Sequence, residues 1–259
     1  MVTLRIPAGV FYALFVLAGL VLGQGIRHAW PFGRVVAVFT AVTFGAFTGF
    51  VMFHMTWSGW QRQAAASYEA FEVQMRGAAE DPAEHEAVLE FLRWILVERW
   101  ADVSIGLTFA SFLTGAVLAV GVTAFWVRIR HGMPGPRTTF ASMRPPEWLV
   151  WPVIACAGLW FVEQRASHDV LRAVAWNGAI GLAAIYWLNG VGIVVYAVRH
   201  LQPHVFVVAA LVLFLMYAGG WLLSIVGLFD TWWELRVKVD RVVAVREKLR
   251  DRSGDGDGE

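Results

Sequence analysis

Three uncharged polar residues on one apolar stretch have the chemistry to hold a small solute: Asn177, Tyr186 and Asn189. Amides and a phenol offer donors and acceptors without net charge. Asn189 follows Tyr186 by three residues, so the two share roughly one helical face, and Asn177 falls near that face about three turns earlier. A polar group in lipid has to find a partner, so each one marks either a ligand cavity or a contact between helices. Gly190 and Gly192 follow directly. They can loosen the backbone and expose carbonyls to a ligand, or let a neighbouring helix approach while Asn189 bonds to it.

Other chemistries have no support. The chain lacks a phosphate-binding glycine loop with Lys-Ser/Thr, a His-Glu-x-x-His pair, paired cysteines and Gly-x-Ser-x-Gly. No carboxylate lies deep in an apolar tract, which argues against a membrane proton relay. The chain therefore reads as a non-enzyme with no cofactor and no metal. His54 has no second ligand at i+4 and reads as an interface residue near Trp57, and the lone Cys156 reads as a small buried hydrophobe. Ser104, Thr108, Ser111 and Thr114 recur along one side of a helix and suit back-bonding to its own carbonyls better than a pore lining. Asp102, at the start of that helix, complements its dipole.

The elements that carry these residues are membrane helices. The 259-residue chain is 58% hydrophobic and only 16% charged, with a mean hydropathy of +0.57. Soluble domains carry about 25% charged residues. The deficit is concentrated in six tracts free of Asp, Glu, Lys and Arg, and a helix needs about 20 apolar residues to cross hydrocarbon. Spans are expected at about 6–26, 35–58, 101–127, 147–163, 173–198 and 204–229, the fourth being short. The first tract lacks a clear cleavage site and reads as a retained helix rather than a leader. Gly19/Gly23 and Gly45/Gly49 are small-xxx-small pairs that mark tight helix packing within or between chains. The expected fold is all-α, a polytopic six-helix bundle over residues 1–236, with a charged tail at 237–259 whose polar end is disordered.

Between the second and third spans, residues 62–98 read as an amphipathic helical insertion. Tyr68, Phe71 and Met75 recur at helical spacing, Pro82 interrupts, and Val88, Phe91, Leu92 and Ile95 resume the stripe. The segment Glu90–Trp100 either lies along the bilayer or continues into the third span. Basic residues are retained on the cytoplasmic side. With six spans and both termini inside, 14 Lys and Arg fall inside and 7 outside, although the short basic connection Arg128–Arg144 then faces outward.

The last apolar tract ends in Gly227-Leu-Phe-Asp-Thr-Trp-Trp-Glu-Leu-Arg236, an abrupt exit from lipid. Asp230 and Arg236, six residues apart, do not share a face of one helix. Asp230 is expected to cap or turn the chain, or to meet an arginine of another connection.

With Arg144-Pro-Pro-Glu-Trp-Leu-Val-Trp151, Asn177 and Ile185-Tyr-Trp-Leu-Asn-Gly-Val-Gly-Ile193, this ending resembles the YybS-like family of bacterial membrane proteins. The resemblance covers residues 140–236, and Asn189 stands where family members typically carry Gln. Gly190, Gly227, Asp230 and Arg236 are the motif positions it marks. That family is distantly similar to the substrate-binding subunits of energy-coupling-factor transporters, which have six helices and both termini in the cytoplasm. The resemblance implies a multi-pass protein of the bacterial cytoplasmic (inner) membrane that captures an unidentified small molecule and works with partner membrane subunits. The same broad group includes MreD-like proteins, which implies a non-catalytic scaffold or assembly factor as the alternative. Besides the lipid bilayer, no nucleic-acid partner is indicated.

Overall fold

A computed structural model describes residues 8–54, 56–78, 82–131, 136, 138–166, 168–217 and 220–254. The retained-leader question at the extreme N-terminus, the disordered end of the tail, and the side chains of His54 and Trp57 lie outside the described residues. Within them all regular structure is helical. The first helices are α1 (Ala8–Arg27), α2 (Phe32–His54), α3 (Trp57–Ala78), α4 (Pro82–Arg93) and α5 (Trp100–His131). They are followed by α6 (Val150–Ala166), α7 (Asp169–Leu201), α8 (Val205–Tyr217), α9 (Trp221–Trp233) and α10 (Leu235–Gly254).

Three of these have a stretch long and apolar enough to cross a membrane: Phe32–Val51 in α2, Trp100–Arg130 in α5 and Asp169–Leu201, all of α7. α7, at 33 residues, is about 50 Å long at 1.5 Å per residue, well beyond the roughly 30 Å hydrocarbon core. α1 adds a shorter apolar stretch, Val16–Arg27, and α6 has 17 residues with Glu163 and Arg165 near its end.

The acidic connection is helical. Thr56 Oγ1 caps α3 by accepting from the Gly59 amide at 3.2 Å, and α4 starts at Pro82, whose ring suits a first helical turn. A π-helical turn, Trp94–Glu98, follows α4 at once, and Arg99 leaves helical geometry (φ −114°) before α5 begins. The chain from Glu90 to Trp100 thus leads into α5 with a single interruption.

The tract expected to form one span at 204–229 is two 13-residue helices, α8 and α9. Gly220, in a turn, directly precedes α9, and glycine is the poorest helix former after proline. At Gly220 the missing side chain has a use: a Cβ there would sit 2.9 Å from Trp187 Nε1.

The chain forms two compact units, and α1, α2, α5, α6 and α7 each contribute residues to both. The first comprises Met1–Val21, Val38–Phe112 and Pro152–Gly181. There α5 and α7 pack backbone to backbone at Gly106, where a Cβ would lie 2.6 Å from Asn177 O. Gly178 packs just as closely on Cys156 Sγ of α6. Phe44 of α2 meets Phe109 and Phe112 edge-on, at ring distances of 5.4 and 6.1 Å.

The second unit comprises Leu22–Ala37, Leu113–Trp151 and Leu182–Glu259. Its core includes the fully buried Val35, Val36 and Val120. Phe32 ties the α1–α2 turn to the segment after α5: its amide donates to Thr138 Oγ1 at 2.9 Å and its ring meets Phe140 edge-on.

Within the chain, the small-residue pairs read from the sequence are not where the described helices touch. Nothing lies within 4 Å of a Cβ built on Gly19, Gly23, Gly45 or Gly49. The close contacts fall instead on Gly106, Gly178, Gly190 and Gly227. Alanine at Gly45 or Gly49 is therefore expected to leave unfolding in detergent unchanged. Alanine at Gly106 is expected to destabilise by about 1–3 kcal/mol through overpacking. Equal effects at Gly45 and Gly106, read by thermal unfolding, would contradict this packing.

Candidate functional site

Asn189, Gly190, Gly227, Asp230 and Arg236 come together where α7, α9 and α10 meet. The crossing is made by glycine: a Cβ on Gly227 would collide with Tyr186 O, and one on Gly190 with Leu223 O. Backbones that close leave no room for side chains, so polar contacts run from side chain to main chain. Asn189 Nδ2 donates to Gly227 O at 2.8 Å. Of the two options open at Asn189, the structure has the helix contact.

Arg236 lies at the centre, 2% exposed, against Asp230 at 5%. Its Nη1 donates to Asp230 Oδ2. Nε donates to Ala141 O at 2.9 Å, and Nη2 to Met143 O at 3.0 Å and Asn189 Oδ1 at 3.1 Å. Four of the five guanidinium protons thus have acceptors. Burial pulls this guanidinium below its ordinary value, the Asp230 carboxylate opposes that pull, and nearby Arg144 adds to it.

The expectation that Asp230 and Arg236 do not pair is overturned, and the reason is local. Glu234 ends α9 in the left-handed conformation (φ 45°, ψ 54°). The chain changes direction between the two residues, so the periodicity of a continuous helix no longer applies. The other part of the expectation stands: Asp230 Oδ1 accepts from the Leu235 amide at 2.8 Å, capping the first turn of α10.

Asn177 sits elsewhere on α7. Nine residues at 100° each place it half a turn from Tyr186 rather than on its face. In the first unit its Oδ1 accepts from the Gly106 amide at 2.7 Å, and its Nδ2 donates to Ala101 O and Ala173 O at 3.1 and 2.9 Å. Beside it, Asp102 is 3% exposed and accepts from Arg172 Nε at 2.8 Å and Arg99 Nη1 at 3.2 Å. Arg172 Nη2 also donates to Asp169 at 2.8 Å. Asp102 is more than a dipole partner: it fastens the start of α7 to the start of α5. The only sequence signal was an acid and an arginine opening two apolar tracts.

Tyr186 differs from both asparagines. It is 2% exposed, and its hydroxyl has no hydrogen-bond partner among the described residues. Thr40 Oγ1, Trp100 Nε1 and Ser104 Oγ are likewise buried without partners. In the hydroxyl row of α5, Ser111 bonds back to Leu107 O at 2.9 Å. Among the described residues, no three His, Cys, Asp or Glu side chains gather as a metal site. The carbonyls of Ala141 and Met143, which complete the Arg236 cluster, carry no side-chain signature and were not legible in the sequence.

Arg236→Lys keeps the charge but loses the planar fork, stranding up to three of the acceptors that Arg236 serves. It is expected to destabilise the protein by about 2 kcal/mol or more, measured as unfolding in detergent. A change within about 0.5 kcal/mol, the range of ordinary surface substitutions, would contradict the arrangement.

No curated protein and no solved structure matches the chain. A family model described as predicted membrane protein (DUF2232) matches residues 1–231, and the match covers both polar clusters up to Asp230. The chain therefore belongs to that family of membrane proteins, whose function is unknown.

Proposed function

We propose that this protein is a non-catalytic solute-binding component of a transport system in the bacterial cytoplasmic membrane, similar in role to the substrate-binding subunits of energy-coupling-factor transporters. The observation that carries the proposal is the hydroxyl of buried Tyr186, which has no hydrogen-bond partner among the described residues. Leaving such a group unsatisfied costs about 1–3 kcal/mol, which a polar atom of a solute would recover. Asn189 spends its amide on Gly227 O and Arg236, and Asn177 spends its own on backbone partners, which leaves Tyr186 as the uncommitted member of the three. The interrupted helix α8–α9 adds support, because discontinuous helices commonly line solute sites in transporters. Having no nucleotide-binding motif, the chain would depend on partner subunits for energy.

A scaffold role draws on a different feature. Among the exposed apolar residues of α3 and α4 are Val73 (74%) and Phe91 (58%), as on a surface for a partner protein. Under that reading, deleting residues 62–98 removes a crosslinked partner.

The solute reading is tested by screening polar metabolites for thermal stabilisation of the purified protein. A ligand at 100 times its Kd adds about 2.7 kcal/mol. Tyr186→Phe is expected to leave the unliganded protein equally or more stable and to abolish the shift. Stabilisation that survives in Tyr186→Phe would remove Tyr186 from the site, and the absence of any stabilising solute would sink the transport reading.

A further inference from the structure

Within the second unit, α9 crosses α7 and α10 then follows it. Ser224 Oγ donates to Ala183 O at 3.0 Å, Asn189 Nδ2 to Gly227 O at 2.8 Å, and Arg236 Nη2 to Asn189 Oδ1 at 3.1 Å. Tyr196 OH donates to Asp240 Oδ1 at 2.7 Å and Arg246 Nη1 to Leu201 O at 3.0 Å. Along α10 the residue numbers rise with those of α7, so α10 runs parallel to it, whereas α9 crosses α7 where Gly190 meets Leu223 and Gly227 meets Tyr186. α8 therefore carries the chain back from the end of α7 to Gly220, which packs on Trp187. The 14 residues from Trp187 to Leu201 and the 13 of α8 correspond to about 21 and 20 Å. α8 is long enough for that return and about 10 Å too short to cross the hydrocarbon core.

We infer that α8 and α9 form a re-entrant hairpin, so that α10 emerges on the membrane side holding the α1–α2, α5–α6 and α7–α8 connections, and that this side is the cytoplasm. The segment suits lipid: Val205–Phe229 carries no charge, and the interiors of α8 and α9 satisfy their backbone internally. Direct contacts join the elements of that side. Phe32 N bonds to Thr138 Oγ1, and Arg236 bonds to Ala141 O and Met143 O. The side is assigned by charge. Moving the tail brings its seven cations, at 236, 238, 241, 246, 248, 250 and 252, onto the side of Arg27, Arg34, Arg128, Arg130, Arg137, Arg144 and Arg199. That side then has 14 of the 21 Lys and Arg, against 7 for Arg5, Arg62, Arg76, Arg93, Arg99, Arg165 and Arg172.

The basic connection Arg128–Arg144 now faces inward, where the six-span count had put it outside. The parallel pairing of α5 and α7, through Asp102–Arg172 and Gly106–Asn177, requires α6 to cross between them. The acidic helices α3 and α4 then face outward, and a partner docking on Val73 and Phe91 is extracytoplasmic. α10, with four more cations than acids, faces the anionic cytoplasmic leaflet and any cytoplasmic subunit. None of this depends on the solute-binding reading.

Single cysteines at Val73, Ser142 and Val245, each in a Cys156→Ser background, probed with a membrane-impermeant maleimide on intact cells, test the inference. Val73→Cys is expected to react from outside, whereas Ser142→Cys and Val245→Cys react only after permeabilisation. Labelling of Ser142→Cys and Val245→Cys from opposite sides would overturn the hairpin. Labelling of both from outside, with Val73→Cys protected, would overturn the cytoplasmic assignment.

Discussion

The buried guanidinium of Arg236 imposes the constraint around which the C-terminal half of the chain is arranged. An arginine cannot shed its hydration without acceptors, and the penalty for a stranded charge is several kcal/mol. The four acceptors come from three places in the sequence: Asp230 at the end of α9, Asn189 in α7, and the carbonyls of Ala141 and Met143 in the segment before α6. Each group must be in place for the others to be satisfied. Buried ion pairs are weak sources of net stability. This one instead specifies which segments meet, including the turn at Glu234 that aims Arg236 back at Asp230.

The same logic appears in the first unit with different residues. There Asp102 gathers Arg99 and Arg172, and Asn177 bonds the Gly106 amide where α5 and α7 touch. Asn189 repeats that tie in the second unit, reaching Gly227 O where α7 and α9 touch. In both, a glycine lets two backbones meet and an asparagine of α7 bonds the exposed peptide group. Lipid supplies no hydrophobic force between helices, so close approach and polar ties carry the association. Tyr186 lies at the second crossing yet takes no part in its hydrogen bonds, which is why the functional proposal rests on it.

Much of the helical framework was legible because hydrocarbon demands long uncharged stretches. The tracts at 35–58, 101–127 and 173–198 correspond to α2, α5 and α7. At 204–229 the described residues form two 13-residue helices, α8 and α9, and hydropathy registers exposure to lipid without showing where such a tract turns. Periodicity failed between Asp230 and Arg236 because it assumes a continuous helix, and Glu234 breaks it. It also misplaced Asn177, whose nine-residue distance from Tyr186 sets the two on opposite faces. Gly45 and Gly49 fit a contact pattern, but the pattern does not say which glycines meet a neighbour. Gly190 and Gly227 were marked by family resemblance, and their collision-close approach supplies the physical reason glycine is needed there.

The central claim is that Asp230 and Arg236 form one buried unit joining α9 and α10. A double-mutant cycle with Asp230→Leu, Arg236→Leu and the combined variant, read by unfolding in detergent, measures it most directly. Each single change strands a charge and is expected to cost about 3–5 kcal/mol, while the combined variant costs clearly less than their sum. Additive losses, with a coupling below about 0.5 kcal/mol, would mean that the two residues do not meet in the folded protein and would contradict the account.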